Sequence, residues 1–156
     1  MKKLIVIALA VVMALSIVAF AACDGEKSYD GAYSYPHPWG GETPYGAKVT
    51  VTVKGGVITN VKLWEEKDTG WTRTSANSGN WTTHDETEAS YAAFLKCFEG
   101  LTVEEVKAIK VACGENGVPS DNGITNTPDA VELLAGATQS YGRIILAIQN
   151  ALKDVK

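Results

Sequence analysis

Residues 47–64 constrain the fold more tightly than any other stretch of the chain. In AKVTVTVK (47–54), Val49, Val51 and Val53 alternate with Thr50 and Thr52. That period of two turns one row of side chains to a core and the other to water, the mark of a half-buried strand. Gly55-Gly56 follows as a tight-turn pair, and VITNVKLW (57–64) returns as the second strand of a β-hairpin.

The other dominant feature is the start of the chain, MKKLIVIALAVVMALSIVAFAA, which meets Cys23. Lys2 and Lys3 form a positive n-region, Leu4 to Phe20 an uncharged apolar run, and Ala21-Ala22 a small-residue site before the cysteine. Residues 1–22 are therefore expected to be a secretory signal peptide, excluded from the folded domain. The run is also close to the length of a membrane-spanning helix. A cysteine directly after two alanines favours the lipoprotein version, in which Cys23 is acylated and becomes the new N-terminus. Acyl chains there would hold the protein at an extracytoplasmic membrane face without spanning it. Residues 23–28 read as a polar tether and 29–156 as one domain.

Removing Lys2 and Lys3 from the 14 basic residues leaves 12 against 18 acidic ones, a net charge of −6. No basic stripe forms, so no nucleic-acid partner is expected. Tyr29 to Tyr35 can form an edge strand, and Pro36, Pro38 and Pro44 then forbid regular structure. Residues 65–82 read as a polar loop carrying Trp71 and Trp81. Thr83 and Glu86 have capping-box spacing and open a helix that runs to Phe98, stopped by Gly100; Thr102 and Glu105 repeat the box for a short helix. AIKVAC (108–113) suggests a further strand and residues 114–128 a turn-rich loop. Thr127-Pro128-Asp129 predicts a brief helix to Leu134, and Thr138 is expected to cap a longer one to about Asp154. That last helix carries Tyr141, Ile144, Ile145, Ile148, Leu152 and Val155 at core-facing spacing. A paired hairpin with helices gathered later indicates an α+β fold: an antiparallel sheet built around the hairpin and packed against a few helices.

Function is best sought at ELLAGATQS (132–140), immediately before the C-terminal helix. Gly136 permits close backbone approach, and Thr138 offers a hydroxyl where first-turn N–H groups and the helix dipole favour an anion. A phosphate suits such a corner. A Gly-Ala-Thr corner is equally a good helix start that needs no ligand.

Beyond these residues the chain resembles the FMN-binding domain family. That family includes flavin-bearing subunits of sodium-translocating NADH:quinone reductases and Rnf complexes, and many exported lipoproteins. The family motif, Asp-Gly-x-Ser/Thr-Gly-Ala-Thr followed by Ser or Thr and a helix, is matched here by Glu132-Leu133-Leu134-Ala135-Gly136-Ala137-Thr138, with Gln139-Ser140 following. The likeness extends to Gly31, Gly46, Val49–Val53, Gly55-Gly56, Val57-Ile58 and Val61. It implies that a flavin transferase joins FMN through its phosphate to Thr138, with Gly136 and Ala137 shaping the turn. Glu132 stands where the family has Asp, keeping the charge but adding a methylene; Ala135 stands where it has Ser or Thr and lacks that hydroxyl.

Trp39, Trp64, Trp71 and Trp81 are many for a domain of this size, and Trp71 or Trp81 can stack on a flavin ring or line a sugar surface. They can equally cover small-residue segments. His37 and His84 have no ligand partner at metal spacing, and no serine lies in a G-x-S-x-G context, so neither a metal site nor hydrolase chemistry is expected. Cys97 and Cys113 are each open to pairing or to remaining free thiols. The expectation is an exported, membrane-anchored flavin carrier serving membrane redox proteins or extracellular acceptors, rather than a stand-alone enzyme. Its rival is a flavin-free binding lipoprotein whose Trp/Tyr loops hold a sugar or peptide.

Overall fold

The computed structural model describes residues 25–37, 40–71, 84–131 and 138–156. Residues 1–22, expected to be a signal peptide, and Cys23, Trp39, Trp81, Thr83 and the corner Glu132–Ala137 lie outside them. The fold is α+β. Three strands, β1 (Lys27–Tyr35), β2 (Tyr45–Lys54) and β3 (Val57–Leu63), form an antiparallel sheet in that order. Short helix α1 (Glu66–Thr69), helices α2 (His84–Lys96) and α3 (Val103–Ala108), and an antiparallel ribbon of β4 (Lys110–Cys113) and β5 (Pro119–Thr125) follow. The chain closes with α4 (Thr138–Leu152).

The hairpin forms as its alternation requires. Gly55 and Gly56 have φ of 57° and 78°, the left-handed angles of a twisted two-residue turn. Val49, Val51 and Val53 are buried while Thr50 and Thr52 face outward. The outward face is knitted by side chains: the Thr50 hydroxyl donates to Asp30 Oδ1 at 2.7 Å, and Trp64 Nε1 donates to Thr50 Oγ1 at 3.0 Å. Thr102 and Glu105 make the reciprocal capping box, which holds the Glu105 carboxyl below its ordinary range through bonds from the Thr102 backbone and hydroxyl.

Several boundaries differ from the sequence-based expectation. β1 begins at Lys27, inside the segment read as a tether, because Lys27 and Ser28 pair with Val53 and Thr52. The strand expected at 108–113 starts at Lys110, since Ala108 completes α3. Residues 119–125, read as loop, form β5: proline is tolerated at a strand's first position, and β4 and α4 together hold a segment of turn-forming composition extended. The helix expected from Pro128 is a single turn among the described residues, closed by the Val131 N–H donating to the Pro128 carbonyl at 2.9 Å. Thr138 is the first residue of α4 rather than the residue before it.

α4 ties the sheets together. Tyr141, Ile144, Ile145, Ile148 and Leu152 are fully buried, as their spacing predicts, and Val155 joins them in the core. The helix lies against β1 at backbone distance: a Cβ on Gly31 would run into the Ala147 carbonyl oxygen and the Ala151 amide nitrogen. On the ribbon side, a Cβ on Gly142 would come within 2.7 Å of Pro119 Cβ. Gln149 Nε2 donates to the Val106 and Ile109 carbonyls at 3.0 and 2.7 Å, which ties the end of α3 to α4.

Gly31→Ala is expected to lose about 1–3 kcal/mol through overpacking. Gly142→Ala, which helix propensity alone would favour by about 1 kcal/mol, should instead destabilise. Urea midpoints at unchanged slope measure both; a gain for either variant would show that the helix stands off the sheets.

Candidate functional site

α4 runs antiparallel to β1, so Ala151 and Ala147 lie on Gly31 while Arg143 lies by Tyr35. Thr138 is five residues before Arg143, about 7.5 Å further along the axis. The opening turn of α4 thus points toward the end of the sheet where β1 stops and β2 starts. Prolines set this end: Pro36 ends β1 at Tyr35, and Pro44 precedes β2 at Tyr45.

Aromatic rings gather there. Tyr35 and Tyr45 face each other across the β1–β2 register, with ring centroids 6.0 Å apart at 21°. His37 meets Tyr45 edge-on at 5.0 Å, and Tyr33 meets Tyr35 at 6.4 Å. Trp71 lies on the backbone of Gly46, whose missing Cβ would otherwise sit 2.6 Å from Trp71 Cε3. Trp71 is therefore at this end but on the outward face of the sheet, opposite the Tyr45 ring, where it covers a small residue of β2. Trp64 lies further along that outward face, with Lys48 Nζ 3.5 Å above its ring.

Beneath the rings is Arg143, 2% exposed. Its Nη1 donates to the Tyr35 hydroxyl at 3.3 Å, and its Cζ stands 5.4 Å from the Tyr45 ring centroid. Neither Arg143 nor the Tyr35–Tyr45–His37 group was singled out by sequence reasoning, because residues 35, 45 and 143 meet only in three dimensions. A signal was present: one arginine inside the apolar run Tyr141 to Ile148.

Two tyrosines have perturbed hydroxyls. Tyr141 stacks on Phe94 at 4.0 Å and 16°, and its buried hydroxyl has no hydrogen-bond partner among the described residues. Burial first, then Tyr91 and Cys97, push it up to about 12. Tyr33 is likewise pushed up to about 12, by burial, by its contact with Cys113 and by Tyr35; its hydroxyl donates to the Gly117 carbonyl at 2.7 Å. Cys97 and Cys113 are free thiols, one half-buried and one exposed, so the two do not pair.

Of the residues proposed from sequence, Thr138 and Ser140 fall in the first turn of α4 and Trp71 at the aromatic end. Glu132, Ala135, Gly136, Ala137, Trp81 and Cys23 lie outside the described residues. Among the described residues this end of the sheet holds a buried cation and packed aromatic rings beside the first turn of α4. Among the described residues no cluster of His, Cys, Asp and Glu is placed to hold a metal ion, and no helix is long and apolar enough to cross a membrane. A cleft of about 270 Å³ opens at the opposite end, between Gly25, Lys27, Gly56 and Asp154, with no aromatic cluster and no helix start to give it chemistry. Comparison of the chain with protein-family models, with curated proteins and with solved structures returns no match.

Tyr141→Phe deletes a hydroxyl buried without a partner, so the variant is expected to gain about 1–3 kcal/mol of stability. The sign with pH is fixed too. A phenol raised from 10 to about 12 on folding keeps its proton longer in the folded chain, so its ionisation leaves stability intact below pH 10 and lowers it as pH climbs from 10 through 12. Melting temperatures recorded from pH 8 to 12 should therefore fall less steeply for the variant. A less stable variant would mean that the hydroxyl has a partner.

Proposed function

We propose that this protein is an exported, lipid-anchored FMN-binding electron carrier whose flavin is held through its phosphate at the start of α4, with Thr138 as the attachment point. The observation that carries the reading is a coincidence of place. The first turn of a 15-residue helix opens toward the end of the sheet where Tyr35, Tyr45, His37 and the buried Arg143 converge, with Trp71 on the other face of the same end. Helix-end N–H groups favour an anion, and aromatic walls favour a planar ring. An exposed helix terminus alone contributes only about 0.3–1 kcal/mol to holding an anion. Retention therefore needs the aromatic wall, the guanidinium or a covalent bond.

A bound flavin supplies the redox chemistry; the chain's part is to bind, orient and shield it. Thr138 supplies the hydroxyl oxygen for attachment. Attachment would form an ester bond between that oxygen and the flavin phosphorus, break the phosphoanhydride bond of an activated flavin nucleotide held by the transferase, and pass the hydroxyl proton to a base of the transferase as the nucleotide leaves. By the family resemblance Gly136 and Ala137 would shape the turn and Ser140 would offer a second hydroxyl, while Trp71 covers Gly46 on the outward face of the sheet. Glu132 and Ala135 are the two positions where this corner departs from the family pattern. Cys23 is proposed as the acylated residue. Electron partners would be membrane redox proteins or extracellular acceptors reached from that anchored position.

Thr138→Ala tests the reading. Co-expressed with a flavin transferase, the wild type should carry flavin that survives denaturation, and the variant should carry none; Thr138→Ser should keep part of it. Denaturing gels viewed by flavin fluorescence, with the intact mass, read the outcome. Flavin released on denaturation of the wild type would make the site non-covalent. A colourless wild type would reject the flavin reading in favour of a flavin-free binding lipoprotein.

A further inference from the structure

The link between Cys23 and the folded domain is shorter than the sequence suggests. β1 begins at Lys27, and Glu26 is already tied to β3, its Oε1 accepting from the Thr59 hydroxyl at 2.9 Å. Gly25 lines the cleft between the start of β1, the Gly55-Gly56 turn and the residues after α4. Cys23 precedes Gly25 by two residues, so their Cα atoms are at most about 7 Å apart, the reach of two extended residues. That is about the depth of one head-group layer of a bilayer. A long flexible linker lets a domain turn freely above its anchor; two residues ahead of a paired strand do not. The two ends of the domain therefore differ in their distance from Cys23. β1 runs about 27 Å from Lys27 to Tyr35, and α4 runs back beside it from Thr138 to Leu152. Charge opposes a fall onto the side. Exposed Lys54, Lys153 and Lys156 sit at the cleft end among Glu26, Glu105 and Asp154, so that end is close to neutral. The chain from Cys23 onward carries −6, and that net charge lies on the rest of the body, which anionic lipids repel.

We propose that this short link seats the cleft end of the domain on the head-group layer of a membrane, and carries the aromatic end and the opening turn of α4 about 27 Å out into water. The proposal rests on the acylation of Cys23 read above, and adds which face of the domain meets the lipid. Gly25, the Gly55-Gly56 turn and Lys156 form that face, and the cleft between them opens onto the head groups. A partner of the α4 opening turn is then met in water, not among the lipid chains.

The experiment uses the full processed chain, isotope-labelled, purified in detergent from a host that acylates exported proteins and placed in nanodiscs of phosphatidylcholine and phosphatidylglycerol. Its intact mass reports the acyl groups. A gadolinium chelate carried on some of the head groups then erases amide signals by proximity. Signals of Gly25 to Tyr29, Val53 to Gly56 and Lys153 to Lys156 should be lost, and those of Tyr35, Tyr45, Gly46 and Gly142 kept. An insertion of about ten Gly/Ser residues between Asp24 and Gly25, a coil spanning about 17 Å, should restore the lost signals. With acyl groups present, loss centred on the sheet face at Lys48, Thr50 and Lys62, at the aromatic end, or evenly over the domain overturns the proposal and leaves the acylation reading standing. Signals that stay lost after the insertion overturn it too, because the link then does not set the face. An intact mass without acyl groups rejects the acylation reading, and this proposal with it.

Discussion

The C-terminal helix approaches β1 so closely that only glycine fits between them. Gly31 brings the α4 backbone at Ala147 and Ala151 onto the strand, and Gly142 does the same for Pro119 of the ribbon. A helix seated this deeply cannot slide or rotate without collision, since interiors are packed to crystal density. Every apolar residue on its inner face is consequently used: Ile144, Ile145, Ile148 and Leu152 fill the space between the sheets. The rest of the chain follows from that seat. α3 is closed by Gln149, β1 accepts Asn150 Nδ2 at the Ala32 carbonyl at 2.8 Å, and Lys107 Nζ donates to the Val155 carbonyl at 2.6 Å.

The same seat fixes what α4 presents at its beginning. With the helix antiparallel to β1, its last turns face the Gly31 region and its first turns face the prolines that end the strands. Stability is given up there. Arg143 is a buried charge and Tyr141 carries a buried hydroxyl with no hydrogen-bond partner among the described residues, on a helix whose other fully buried side chains are apolar. Local costs of this kind collect at functional positions, because a purely apolar helix would pack at least as well. The opposite end, around Gly25 and Gly56, has a cleft but no comparable expense.

Much of this was legible from the sequence where the signal is local. The Val-Thr alternation with Gly55-Gly56, the Thr102–Glu105 box and the buried stripe of the last helix each depend on residues within one turn or one strand of each other. β5 was not legible, because PSDNGIT has turn-forming composition and is held extended only by pairing with β4 and packing against α4. Trp71 could be singled out as an aromatic in a loop, but its seat on Gly46 could not. The cation at Arg143 escaped notice because its meaning lies in Tyr35 and Tyr45, about a hundred residues away in sequence. The Gly-Ala-Thr corner was the clearest motif in the chain, and of it the structure describes Thr138 at the head of α4.

The central claim is that a flavin belongs at the start of α4 and the adjoining end of the sheet. Amide chemical shifts of the isotope-labelled chain, followed as FMN is added, locate the ligand most directly. The account predicts the largest changes at Tyr33 to His37, Tyr45-Gly46, Trp71 and the first two turns of α4, with Gly25 to Tyr29, Lys54 to Gly56 and Val155 unmoved. Changes centred on the Gly25–Gly56 cleft, or no changes at all, would contradict it.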